Sequence, residues 1–233
     1  MQLEPPLPRY CTRAVWEQGK QYYRLPTGAS YPGVTTILSA TEPPEQKQAL
    51  WKWRKRVGQE AAQQITSQSS RWGIKLHKYI EAKLQGHEPE DLPPELTGFW
   101  NSIHPFLDQA VERSLLIEGT VWNSKYRYAG KLDCLAIVEG QPTICDWKTA
   151  QKPRQSAWNK THYLQCAAYA TAVEQVYIKF GIAVKQALVV VALPDQEAQV
   201  FSLTMEPLLD YWQEFKTRVD VFYGSRHLNE YLN

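Results

Sequence analysis

The chain of 233 residues carries 26 Lys+Arg against 24 Asp+Glu, with 43% hydrophobic and 21% charged residues. That balance excludes a disordered chain and suits one domain with elaborations. No run approaches the roughly 18–20 apolar residues of a membrane span, and the start MQLEPPLPRY lacks the basic-then-apolar pattern of a secretory signal. Four cysteines without CxxC spacing (Cys11, Cys134, Cys145, Cys166) argue against zinc knuckles and a disulfide scaffold, and for a reducing, cytoplasm-like compartment. The net charge of +2 leaves room for a local basic face, and 9 Trp, 13 Tyr and 6 Phe suit a core and also the stacking of bases or sugars.

In chain order, residues 1–12 are Pro-rich and expected to be loosely held. VWEQGKQYYRL (15–25) reads as two short strands about Gly19, and TGASYPGVTT (27–36) as a loop. A helix is expected over 45–65, where KQALWKWRKR (47–56) sets five basic residues around Trp51 and Trp53. A second should cover 69–85 and end at Gly86. After the acidic, Pro-broken EPEDLPPEL (88–96), apolar residues from Leu96 to Leu115 recur at i, i+3, i+4, giving a long helix kinked at Pro105. The period then changes to two. Strands are expected over 115–122, 126–138 and 143–149, the last two joined by a tight turn in EGQP. A helix over 160–179, strands over 185–194 and 198–203, and a helix over 205–222 complete the chain. There is no internal repeat, and the order describes an α/β protein with a central sheet flanked by helices.

The chemistry concentrates in Gly130-Lys131-Leu132-Asp133, followed after twelve residues by Asp146-Trp147-Lys148. Strand alternation puts Asp146 and Lys148 on one face. A two-residue loop at Gly140-Gln141 pairs 133 with 148, and one at Glu139-Gly140 pairs 133 with 146. Either adds Asp133 to that face, whereas an odd loop without a bulge separates it. Two carboxylates and an ammonium are costly to bury without a counter-charge. A hard divalent cation such as Mg²⁺ would neutralise the acids, with the Trp147 carbonyl as a further ligand, while Lys148 orients water or stabilises charge on a phosphate. For an isolated D…DxK, however, a structural surface ion pair is the plainer reading. His77 and Glu81 lie one turn apart on one helix, and His77 is either another ligand or a histidine satisfied within the fold. Gln165 and Tyr169 share a face of the helix after the DxK strand and either hold a phosphate or cap a small-residue packing face.

Gly73–His77 (GxxxH), Gly130–Asp133 (GxxD), Asp146–Lys148 (DxK) and Gln165–Tyr169 (QxxxY), in that order, resemble the PD-(D/E)XK nuclease superfamily in its RecB-like branch. YPGVTTILSAT (31–41) before a Trp-rich helix looks most like the mitochondrial genome maintenance exonuclease group with its bacterial and phage relatives, where Gly33 replaces the usual Ser. The resemblance implies a restriction-endonuclease-like core over about 69–223, with 1–68 as an N-terminal elaboration of one nuclease domain. It implies a metal site of His77, Asp133, Asp146 and the Trp147 carbonyl for Mg²⁺ or Mn²⁺, and a catalytic set of Asp133, Asp146 and Lys148. Glu118 lies where many relatives have an acid. No cysteine follows Cys166, so no iron–sulfur cluster is expected, and Cys134 and Cys145 should be small buried thiols facing away from the acids.

For substrate, Lys52, Arg54, Lys55 and Arg56 offer phosphate contacts with Trp51 or Trp53 as a stacking platform, unless the tryptophans pack inward and the basic face is merely solvated. Arg154, Lys152 and Trp158 follow the DxK strand where a DNA strand would pass. No helix-turn-helix, zinc-finger or RNP signature appears, which favours backbone and stacked-base contact with single-stranded DNA. The expectation is a cytoplasmic, bacterial or phage-like, metal-dependent exonuclease on single strands or flaps. The alternatives are a restriction- or homing-type endonuclease on the same core and a catalytically silent DNA-binding subunit.

Overall fold

The computed structural model describes residues 7–230, with side chains described through residue 225. Strands β1 (Ala14–Glu17) and β2 (Lys20–Arg24) pair around Gln18-Gly19, both at positive φ, and β3 (Ser30–Pro32) adds to β2. The loop expected over 27–36 is therefore shorter. Its second half forms β3 and the start of α1 (Val34–Ala40), whose Val34, Ile37 and Leu38 sink into the core. Residues 7–12 are held rather than loose: Leu7 is buried, its amide donates to the Leu115 carbonyl, and the Thr120 amide donates to the Tyr10 carbonyl. The rest of that expectation, on residues 1–6, lies outside the described residues.

Helices α2 (Pro44–Val57) and α3 (Gln59–Leu84) divide at Gly58 rather than near residue 67. Gly58 has a φ of 89°, which a residue with a Cβ adopts only with strain, whereas the polar run around Ser67 simply continues the helix on its solvent side. Helix α4 (Pro94–Ala110) starts with Pro in its first turn and runs on through Pro105 without ending there.

The main sheet has five strands in the order β10 (Gln196–Leu203), β9 (Gln186–Leu193), β8 (Gln141–Thr149), β7 (Cys134–Val138), β4 (Val111–Ile117). Only β8 and β9 are parallel, and their crossover passes through α5 (Lys160–Val176). One face packs α1, α5 and α6 (Met205–Glu230) over Leu135, Ile144, Val189 and Val191. The other packs α4 and the second half of α3 over Ala136, Cys145, Trp147 and Val190. This is the mixed sheet flanked by helices that the element order describes.

The strands expected over 115–122 and 126–138 form one antiparallel pair bent in its middle. Ile117 opposes Cys134 and Thr120 opposes Lys131 in a single register, yet β5 (Thr120–Asn123) and β6 (Tyr128–Lys131) leave as a separate two-stranded sheet. Across the bend Glu118 N donates to the Asp133 carbonyl at 2.9 Å and Leu132 N to the Gly119 carbonyl at 3.1 Å. The pairing register runs unbroken across the bend, although β4 carries register shifts before it, at Val111/Arg113 and Ser114/Leu116.

Candidate active site

The bend is where the first acids meet. Glu118 takes a φ of 51°, a left-handed conformation that costs a non-glycine residue free energy, and residues 118 and 133 sit opposite each other there. His77 arrives from α3, which buries Leu76 and Ile80 against the sheet. Its Nε2 donates to the Trp147 carbonyl at 2.8 Å, since a carbonyl only accepts. In the neutral ring the Nδ1 lone pair then faces Asp133 Oδ1 at 3.6 Å and Glu118 Oε1 at 3.8 Å. One ligand atom each from His77, Glu118 and Asp133 lies within 4.8 Å of the others. Such a set demands a proton on the ring or a cation among the three.

Strand β8 supplies the rest. Its turn from β7 is Glu139-Gly140, both at positive φ as a type I′ hairpin loop requires, and Val138 opposes Gln141. That register sets position 133 across from 146. Asp146 and Lys148 fall on one face, while Cys134, Cys145 and Trp147 are buried in the opposite layer. Asp133 Oδ2 accepts from Trp147 N at 2.9 Å. Lys148 Nζ lies 2.6 Å from Asp146 Oδ1 and 3.8 Å from Asp133 Oδ2. Asp146 is 1% exposed and its Oδ2 has no hydrogen-bond partner among the described residues. Lys131 Nζ pairs with Glu118 Oε2.

Burial opposes the charges on His77 and Lys148, but carboxylates outweigh it. Asp133 and Glu118 do so for His77, Asp146 and Asp133 for Lys148, and both hold their protons above the ordinary range. At Glu118 burial is overcome by His77 and Lys131, and the carboxyl sits below its usual value. At Asp133 burial wins over Lys148 and His77, and the carboxyl is pushed up.

Helix α5 closes the site. Gln165 Nε2 donates to the Tyr169 hydroxyl at 3.3 Å, and the Tyr169 ring lies against the Gly130 backbone. His162, one turn before Gln165, places Nδ1 3.8 Å from Asp146 Oδ2, and burial with Lys148 and Arg154 nearby pushes its pKa down to about 3. Arg154 Nη1 donates to His162 Nε2 at 3.3 Å and to Asn159 Oδ1 at 3.4 Å. The structure thus gathers His77, Asp133, Asp146, Trp147, Lys148, Gln165, Tyr169 and Arg154 around Glu118, and adds Lys131 and His162, which the sequence reading passed over. Both had a signal: Lys131 alternates onto the face of Asp133, and His162 precedes Gln165 and Tyr169 at i−3 and i−7.

Lys52 and Arg54 are not part of this cluster. They lie on α2, which has no buried residue; Trp51 is 59% exposed, with Lys55 Nζ 5.2 Å from its ring centroid. Trp51, Arg54 and Lys55 border a groove of about 620 Å³ between α2 and α3.

A bent hairpin feeding two acids and a DxK strand into one end of a helix-flanked mixed sheet is the core of a restriction-endonuclease-like fold. Residues 20–221 match the model of the PD-(D/E)XK nuclease superfamily, and the chain belongs to that superfamily. Among curated relatives it is similar to mitochondrial genome maintenance exonuclease 1 of Mus musculus, at 30% identity over 83% of this chain and 59% of the relative. The Xenopus tropicalis protein of that name is 28% identical over 85% of this chain and 59% of its own length, and the Homo sapiens one 28% over 82% and 58%. The chain thus spans about three-fifths of these relatives. They are mitochondrial by name, so they lend no support to a bacterial or phage-like cytoplasmic setting. Among the described residues no helix is long and apolar enough to cross a membrane.

Proposed function

We propose that this chain is a divalent-metal-dependent deoxyribonuclease working as an exonuclease on single-stranded DNA or flaps, its nuclease core and N-terminal elaboration acting as one unit in a reducing compartment. The observation that carries this is the convergence of His77, Glu118 and Asp133 ligand atoms within 4.8 Å beside the Asp146–Lys148 pair. An imidazole nitrogen with hard carboxylate oxygens, and an orphaned oxygen on Asp146 nearby, fits Mg²⁺ or Mn²⁺. In this reading His77, Asp133, Asp146 and the Trp147 carbonyl hold the ion, with Glu118 as a further ligand. The bound ion supplies charge neutralisation at the phosphate and a more acidic water.

The chain's own groups do the remainder. Lys148, held between two carboxylates, presents an ammonium to the reacting phosphate. Gln165 and Tyr169 order the far side of the site, and burial keeps the Tyr169 hydroxyl protonated as a donor. Arg154 meets a phosphate where a strand leaves the acids, and Lys52 and Arg54 with exposed Trp51 give a stacking and phosphate-contacting arm.

The test is incubation of end-labelled single-stranded, double-stranded and circular DNA with Mg²⁺, Mn²⁺ or EDTA, beside Asp146→Ala and Lys148→Ala. Metal-dependent loss of linear single strands, abolished in both variants and absent on circles, is expected. Cutting of circles would move the reading to an endonuclease. Salt-sensitive binding without cleavage under any metal would leave a silent DNA-binding subunit.

A further inference from the structure

Two orphaned atoms face each other at Asp146. Asp146 Oδ2 and His162 Nδ1 are both buried, 3.8 Å apart, and neither has a hydrogen-bond partner among the described residues. The opposite side of each group is engaged: Asp146 Oδ1 accepts from Lys148 at 2.6 Å, and His162 Nε2 meets Arg154 Nη1 at 3.3 Å. A guanidinium has only donors, so Nε2 is the acceptor and the neutral ring carries its proton on Nδ1. That proton is on the side of Asp146. Gln165 borders the same imidazole, and its amide nitrogen donates to the Tyr169 hydroxyl.

Arg154 is gripped from three sides. Its amide donates to Gln199 Oε1 at 2.6 Å, its carbonyl accepts from Gln199 Nε2 at 3.2 Å, and its guanidinium also donates to Asn159, which is fully buried. The acidic charge acting on it is that of Asp146. An arginine fixed this firmly, with a carboxylate beyond an intervening ring, is aligned by that ring.

We infer that His162 is a positioning residue: one imidazole joins the Arg154 guanidinium to the Asp146 carboxylate, so that the cation meeting a DNA phosphate and an acid of the reaction site move as a unit. What Arg154 and Asp146 accomplish rests on the nuclease reading; the bridge between them does not. The two sides of the ring have separate mimics. An Asn at 162 carries its amide donor where Nδ1 lies, toward Asp146, and a Gln reaches the place of Nε2, where its oxygen accepts from Arg154.

The first arm of the test is nitrogen NMR of isotope-labelled histidine in the full chain, with the His162 signals assigned by their loss in His162→Leu, or in His162→Asn should the leucine variant not fold. At neutral pH the proton is expected on Nδ1 with Nε2 bare, and Arg154→Ala should remove that preference. A wild-type ring protonated on Nε2 overturns the inference, whether or not the protein cleaves DNA. The second arm is steady-state cleavage of an end-labelled single strand with Mn²⁺. His162→Leu should lower kcat/KM by about 10–100-fold, as removal of a group orienting a metal-site residue does. His162→Asn should recover kcat while KM stays raised, and His162→Gln should recover KM while kcat stays low. Equal deficits in the Asn and Gln variants, or wild-type constants in His162→Leu, overturn it. A wild type that cleaves nothing rejects the nuclease reading instead, and the tautomer then decides this inference alone.

Discussion

Gly73 and Gly130 both belong to the site's motifs, yet a methyl group would meet different surroundings at each. At Gly73, inside α3, the nearest atom to an added Cβ is Thr149 Oγ1 at 3.7 Å, an ordinary contact. A mid-helix glycine is about 0.5–1 kcal/mol worse than alanine, so Gly73→Ala should raise stability by that order in urea denaturation. At Gly130 the Cβ would lie 2.7 Å from Tyr169 Cε1 and 3.0 Å from its hydroxyl. Gly130→Ala should cost about 1–3 kcal/mol through overpacking and slow cleavage by displacing Tyr169. His77 sets a pH signature. Its folded pKa is raised, so its contribution to stability is fully present below 6.5 and is lost as pH rises through the folded value. The melting temperature of metal-free protein should therefore fall relative to His77→Ala as pH is raised from about 6 to 8. A flat difference between the two would exclude the His77–carboxylate pairing.

At the scale of elements, the arm formed by α2 and the first half of α3 stands apart from the core. Between Pro44 and Arg71 only Ala62 is buried. Replacing Lys52 and Arg54 by Glu should thus leave the melting temperature unchanged. It should raise KM for single strands and make the fall of log affinity with log salt shallower, by roughly 0.7 for each phosphate no longer neutralised. What the sequence disclosed of the elements followed from local rules. Period-two alternation located the DxK strand, and the Glu139-Gly140 turn is one of the two even registers that put Asp133 on its face, where an odd loop would have separated it. The bend at Glu118 carries no mark in residue type, since an acid rather than a glycine takes the left-handed φ of 51°. The break falls at Gly58 and not between residues 65 and 69 because the φ of 89° there suits a glycine. For Lys131 and His162 spacing along one segment signals a shared face, but their partners, Glu118 and Asp146, lie on other segments and show only in the structure.

At the scale of the molecule, the chain closes on itself where its beginning covers the edge strand β4. Leu7 is 6% exposed and its amide takes the Leu115 carbonyl, so this segment caps an edge otherwise open to pairing. Leu7→Ala should cost about 2–4 kcal/mol by denaturant titration, and its partly unfolded state should aggregate more readily. Around the site, three carboxylates (Glu118, Asp133, Asp146) are faced by Lys131, Lys148 and His77. Chelation should therefore leave the melting temperature of the wild type nearly unchanged, although the proposed cleavage stops. A large drop with EDTA would show that the ion is a structural strut.

The same pairing has a consequence for supply. A divalent ion entering a pocket whose acids already face Lys131, Lys148 and His77 would have to evict a proton or swing a lysine aside, so it would gain only the difference between two good arrangements. On the proposed nuclease reading the ion would then be drawn from the surrounding pool rather than stored, and activity would follow the free cation level of the compartment.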